Sequence, residues 1–213
     1  MLSCMQDSAH DKDHVYRVLY HALSIAGEIP QTDMEILVTA CLLHDIGRSE
    51  QIADPAVCHA RAGSEKAYAF LKQIGWSEER AEHVRSCIRT HRFRKSDPPQ
   101  SIEAMILYDA DKLDVTGLVG IARTLMYNGA LNEPMYSTTP DGRIAPGAEG
   151  EPDSFLHEYR FKLEKVYDHF LTEPGRRMAH ARRPAATAFV EQLLLELERP
   201  VDDGLQALEG MLK

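Results

Sequence analysis

Apolar residues recur along almost the whole of this 213-residue chain at the three- and four-residue intervals of an α-helix, and no stretch shows β-alternation. Val15, Val18, Leu19, Ala22, Leu23 and Ala26 form one such stripe, which ends at Gly27 and Pro30. Thr32 or Asp33 can cap a second helix through MEILVTACLLHD, which is apolar on nearly every side, hence central, and stops at Ile46-Gly47. A third helix covers residues 60–73 and stops at Gly75; a fourth follows a Ser77 cap to about Thr90. RTHRFRKSDPPQ reads as a loop, SIEAMILYDADKLD from Ser101 as a fifth helix, and VGIARTLMYNG as further helix. Residues 154–172 and 184–198 read as two long amphipathic helices, and 201–212 as a short last one. Between them, residues 128–153 hold four prolines and four glycines in 26 positions, the composition of a long loop, a lid or a disordered segment. There is no internal repeat and no linker elsewhere. The expectation is an all-α bundle, a single domain over residues 1–213.

Charge narrows the function. Asp and Glu number 33 against 24 Lys and Arg, a formal charge of −9, which argues against a nucleic-acid partner but not against a small anionic substrate in a local cationic pocket. No apolar run approaches the roughly 20 residues that span a bilayer, and the N-terminal MLSCMQDSAHDKDH lacks the apolar stretch of a signal peptide. Cys4, Cys41, Cys58 and Cys87 form no CxxC pair, and the last three fall in or beside apolar helical stretches, where reduced buried thiols are expected. A cytoplasmic protein with no membrane partner follows from this reading. Ten histidines are the compositional oddity, and their positions decide what they mean.

In LLHDIG, at 42–47, the Asp45 carboxylate follows an apolar run and needs a strong partner once buried. Two arrangements satisfy it. Either His44 and Asp45 both reach one cation from a last helical turn loosened by Gly47, or they form a buried hydrogen bond with no metal. Asp109, Asp111 and Asp114 follow the core-like AMIL; Asp111 and Asp114 share a helix face, whereas Asp109 points elsewhere. A solvated helix face explains Asp114. It explains Asp109 and Asp111 poorly. His14, at the start of the first amphipathic helix, would alone be a surface or capping residue.

Taken together, His14, His44-Asp45 and Asp111 resemble the H…HD…D signature of the HD superfamily of metal-dependent phosphohydrolases, in the frames DHVYRV, LLHDIGR and DADKLD. The similarity extends over most of the chain. The C-terminal FKLEKVYDHFLTEPGRRMAHARRPAATAFVEQLLLELE looks like a branch of small bacterial HD hydrolases, some of them nucleotide pyrophosphohydrolases. The resemblance implies a helical HD-domain bundle with core motifs between residues 14 and 111. It makes His14, His44, Asp45 and Asp111 ligands of one divalent cation (Mn, Mg, Co, Ni or Fe), the frame A-D-K-L favouring Asp111 over Asp109. Asp109 would then orient a ligand or the attacking water, or bond the backbone. HD proteins with two metals carry two further histidines in frames similar to those of His59 and His91, so these imply the capacity for a second cation bridged by Asp45. The alternative is that both histidines contact substrate around a single metal.

The implied activity is hydrolysis of a phosphoester or phosphoanhydride, with a nucleotide as the expected substrate, by a metal-activated water. Arg48 stands where many family members have lysine and some nucleotidases glutamate; it resembles a phosphate contact and leaves the general acid unassigned. Lys112, Arg61, Lys66, Arg92 and Arg94 are further candidate phosphate contacts, Lys112 and Asp109 being placed with the catalytic groups. Tyr159, Lys162, Arg182 and Arg183 lie in the shared C-terminal frames, as substrate contacts or as packing and surface residues. Two rival activities use the same residues: a di-iron oxygenase, and a nucleotide sensor without turnover. A homodimer through the terminal amphipathic helices is the remaining partner expectation.

Overall fold

The computed structural model describes residues 12–93 and 97–212; Cys4 and Arg94 lie outside the described residues. Every regular element among them is helical, apart from an isolated antiparallel bridge between Thr138 and Ile144. No helix among the described residues is long and apolar enough to cross a membrane. The chain divides into two compact units.

The first unit comprises the described residues up to Asp114 together with Phe170–Met178. It contains α1 (Lys12–Ala26), α2 (Met34–Leu43), α3 (Arg48–Ala53), α4 (His59–Gln73), α5 (Glu78–Thr90) and α6 (Ile102–Leu113). The expected caps at Asp33 and Ser77 form, and Ser101 adds a third. Asp33 accepts from the amides of Glu35 and Ile36, Ser77 from Arg80 and Ser101 from Ala104, each meeting an amide that the helix leaves unpaired. Gly75 closes α4 at φ +92°, a left-handed backbone that favours glycine. α2 packs on α1, α5 and α6, burying Ile36, Leu37, Ala40 and Cys41. Helix α3 is absent from the sequence reading, because six residues without a buried side chain carry no periodic signal.

The turn after α2 is set by close packing. A Cβ on Gly47 would overlap the His59 carbonyl oxygen and the Gly63 amide nitrogen, so the turn lies directly on the backbone of α4. Gly47→Ala should therefore lower stability by roughly 1–3 kcal/mol, read as an earlier denaturation midpoint.

Segment Phe170–Met178 is tied to α6 by Asp109, which is fully buried. Its carboxylate accepts from the Leu171 amide at 2.8 Å, the Thr172 amide at 2.7 Å and the Thr172 hydroxyl at 2.6 Å. A side chain on Gly175 would run into the same carboxylate. Asp109 thus bonds the backbone, one of the roles expected for it, and both its oxygens are committed to this segment rather than turned to the catalytic groups it was placed with. Asp109→Ala should destabilise the fold by roughly 3 kcal/mol, since two amides and a hydroxyl lose their acceptor, while cation binding persists; denaturant titration and metal titration check the two halves.

The second unit comprises Val115–His169 and the chain from Ala179. It holds α7 (Gly117–Ala130), α8 (Phe155–Glu158), a π-turn (Tyr159–Leu163), a 3₁₀ turn (Val166–Asp168) and most of α9 (Glu173–Met211). Phe155, Leu156, Tyr159 and Leu163 pack with Ile121, Ala186 and Val190 in its core. The expected helix over 154–172 is thus broken, although its apolar stripe is buried as the spacing requires. The Glu164 amide bonds the Tyr159 carbonyl five residues back, a widening that side-chain periodicity does not register. The expected helices at 184–198 and 201–212 are one with residues 173–183, because α9 runs through Pro184 and Pro200. A proline inside a helix removes one hydrogen bond and adds a clash, about 3 kcal/mol, which the rest of a 39-residue helix outweighs. α7 also extends into the expected loop, leaving residues 131–153 without a helix.

Candidate metal centre

Five buried side chains and one partly exposed one converge in the first unit. His14 comes from the first turn of α1, His44 and Asp45 from the turn ending α2, His59 from the start of α4, His91 from the cap of α5, and Asp111 from the last turn of α6. They form two groups, His14–His44–Asp111 and Asp45–His59–His91, in each of which the ligand atoms lie within 4.8 Å of one another. Asp45 faces both. Its Oδ2 is 3.6 Å from His14 Nε2 and 3.8 Å from His44 Nε2, while its Oδ1 is 3.4 Å from His59 Nε2 and 3.9 Å from His91 Nε2. Asp111 Oδ1 is 3.4 Å from His14 Nε2.

Each histidine is oriented from behind through Nδ1. The acceptors are Asp114 Oδ2 for His14 at 2.7 Å, the Cys41 carbonyl for His44 at 2.7 Å, Gln51 Oε1 for His59 at 2.6 Å and the Ile88 carbonyl for His91 at 2.6 Å. These partners only accept, so Nδ1 carries the proton and the Nε2 lone pair points inward when the ring is neutral. Burial, then the charge of Arg48, pushes the His59 imidazolium down to about 2; burial, then His44, pushes that of His91 to about 4. Burial raises the Asp45 carboxyl, but His44, Arg48, His91 and His14 outweigh it and hold the acid well below the ordinary carboxylate range. Asp111 is lowered by His14, His91 and His44 against a burial effect of opposite sign.

Two details fit a cation here. His44 Nε2 and His14 Nε2 lie 3.3 Å apart, and with both Nδ1 protonated neither has a hydrogen to offer the other. Asp45 Oδ1 is buried with no hydrogen-bond donor among the described residues, which is costly unless a positive charge faces it. Nitrogen and carboxylate donors without thiolate suit a divalent first-row ion or Mg²⁺.

Around this centre, Arg48 Nε lies 3.2 Å from Asp45 Oδ2, and Arg92 Nη1 lies 3.4 Å from His59 Nδ1. Lys112 was expected among the catalytic groups, but its ammonium sits 4.6 Å from the centroid of the Tyr108 ring, a cation–π contact. Tyr159 and Lys162, expected to touch substrate, belong to the second unit. Tyr159 is a core residue there, and Lys162 is exposed and paired with Glu158 at 2.5 Å. In that unit Arg182 reaches the Thr116 hydroxyl at 3.4 Å and Arg183 lies over Tyr167. Of the cysteines, Cys41 and Cys87 are buried thiols as expected, but Cys58 is exposed.

Arg17 and Gln51 escaped the sequence reading, and Asp114, read there as solvated, is buried. Asp114, fully buried, accepts from His14 and also from Arg17, at 2.6 Å from Nε and 3.1 Å from Nη2. Beside the Asp45–His59–His91 group opens a cleft of about 440 Å³, lined by Gln51, Cys58, Arg61, Arg89, Arg92 and Phe93 among others.

The family model described as HD domain matches residues 12–116, the span that supplies all six converging residues. The uncharacterized protein YpgQ of Bacillus subtilis (strain 168) is 32% identical over 192 residues, 88% of this chain and 84% of that protein. The chain belongs to the HD-domain family. An HD-superfamily hydrolase from Bacillus thuringiensis matches with a TM-score of 0.66 at 32% identity, covering 90% of this chain and 88% of its own. The crystal structure of B. subtilis YpgQ in complex with ADP matches with a TM-score of 0.69 at 27% identity, covering 90% and 92%. The HD dyad is His44-Asp45, and Asp45 joins the two groups of this HD centre.

Proposed function

We propose that this HD-domain protein is a metal-dependent phosphohydrolase that cleaves a phosphoester or phosphoanhydride of a nucleotide. One observation carries the reading: Asp45 stands between two groups of inward-facing histidine and carboxylate donors. His14, His44, Asp45 and Asp111 would hold one divalent cation, and His59, His91 and the second oxygen of Asp45 another. Such cations acidify a coordinated water and offset charge on phosphoryl oxygens.

The protein's own groups have defined tasks. The Nδ1 partners fix the tautomer and aim of the four imidazoles, so the donor set is preorganised before substrate enters. Arg48, about a fifth exposed beside Asp45, faces phosphate with a planar fork of donors and stabilises the negative charge that gathers in the transition state. Arg92, against His59, receives the same substrate from the cleft side. The ADP held by YpgQ supports a nucleotide as ligand. A cytoplasmic enzyme, acting without nucleic-acid or membrane partners, completes the proposal.

Product analysis over a nucleotide panel with Mn²⁺ tests it. Metal-dependent release of phosphate or pyrophosphate is the expected result, with close to two equivalents of Mn²⁺ bound at saturation. A panel without product overturns the phosphohydrolase, and one equivalent at saturation overturns the second cation. The bridging carboxylate also suits a pair of redox-active irons; substrate-dependent O₂ consumption by iron-loaded protein would favour that rival.

A further inference from the structure

The cleft shares a wall with the HD centre, because Gln51 lines it and also accepts from His59 Nδ1. Three guanidinium groups border it, from Arg61, Arg89 and Arg92. Arg89 is matched by Asp97, with contacts of 2.8 and 3.3 Å. Arg61 has no carboxylate within ion-pair distance among the described residues, and Arg92 lies against His59 at the inner edge. Three guanidinium groups against the single carboxylate of Asp97 on the cleft wall stand out in a chain of net charge −9. Arg92 lies against His59 of the centre, and Arg61, two residues past His59 on α4, lines the cleft wall.

We propose that this cleft binds an anionic group of the substrate that the reaction leaves uncut, with Arg92 and Arg61 as its donors, and that Arg61 sets the preference for substrates bearing more than one phosphate. The inference rests on the phosphohydrolase reading. A phosphate at the HD centre would leave the further phosphates of the chain to the cleft wall that Arg92 and Arg61 line. Guanidinium forks bind such oxygens in pairs, and Arg61 gives up no internal ion pair to do so. Phe93, packed against Tyr108 with centroids 6.1 Å apart, gives the cleft one aromatic wall.

Steady-state kinetics of wild type and Arg61→Ala on a nucleoside mono-, di- and triphosphate test the assignment. The ratio of the triphosphate KM to the monophosphate KM should rise at least about tenfold in the variant, the worth of one charge-assisted hydrogen bond, with kcat changed far less. A KM that rises by the same factor for every substrate, or for none, overturns it. Calorimetric binding of inorganic tripolyphosphate to metal-free protein separates this inference from the reaction itself. Binding weakened about tenfold by Arg61→Ala supports the cleft even if nothing is hydrolysed. Binding that is absent in wild type, or indifferent to Arg61, sinks it while leaving the phosphohydrolase reading intact.

Discussion

Asp45→Ala should abolish hydrolysis, a loss of about a thousandfold or more, and should remove the second equivalent of bound Mn²⁺ while weakening the first. The size follows from geometry. A cation's stabilisation of transition-state charge amounts to several kcal/mol, and Asp45 is the residue whose two oxygens serve both donor groups. The fold should survive. The variant discards a buried carboxylate oxygen that has no donor, and Arg48, which loses its partner, is exposed enough to be solvated. Far-UV circular dichroism, metal titration and product release on the same preparation check all three statements. An Asp45→Ala protein that unfolds, or one that keeps both metals, contradicts the role given to this residue.

Asp114→Asn should lower affinity for the cation held by His14, His44 and Asp111 by about ten- to a hundredfold, the usual effect of removing a partner behind a ligand. The carboxylate does two things at once: it fixes the His14 tautomer through Nδ1, and it is itself held by the Arg17 fork. Asparagine keeps the shape but loses the charge that makes both bonds strong. Manganese titration followed by electron paramagnetic resonance reads the affinity directly, independent of turnover. Unchanged Mn²⁺ affinity would reduce Asp114 to an anchor between α1 and α6. Arg17→Ala should move the affinity in the same direction by less, since His14 retains its acceptor.

The converging residues were legible because each sits in a local frame: a helix start at His14, a helix end at His44-Asp45, and an acid after a core stretch at Asp111. The groups behind them were harder to find, although part of the signal was present. Asp114 is three residues past Asp111 and Arg17 three past His14, so each pair shares a helix face and a direction. Reading Asp114 as solvated overlooked that the face toward a cation is also buried. Gln51 could not be found, because α3 leaves no periodic trace. Asp109 misled for the opposite reason. A buried acid beside a ligand reads as chemistry, and only the fold reveals that its partners are amides 62 and 63 residues away. At the C-terminus the apolar stripe was read correctly, but the π-turn and the passage of α9 through its prolines depend on packing that no window of sequence contains.

At Gly47 and Gly63 two stretches of main chain touch with no side chain between them. One precedes Arg48 and carries His44 and Asp45; the other belongs to the helix that begins at His59. The spacing between His44–Asp45 and His59 is therefore a backbone dimension, as stiff as the peptide units that define it. Exchanging ligands, or the ion itself, alters the chemistry at each group without altering that spacing. The glycine contact thus sets how far the His44–Asp45 turn stands from the start of α4, whatever side chains surround it.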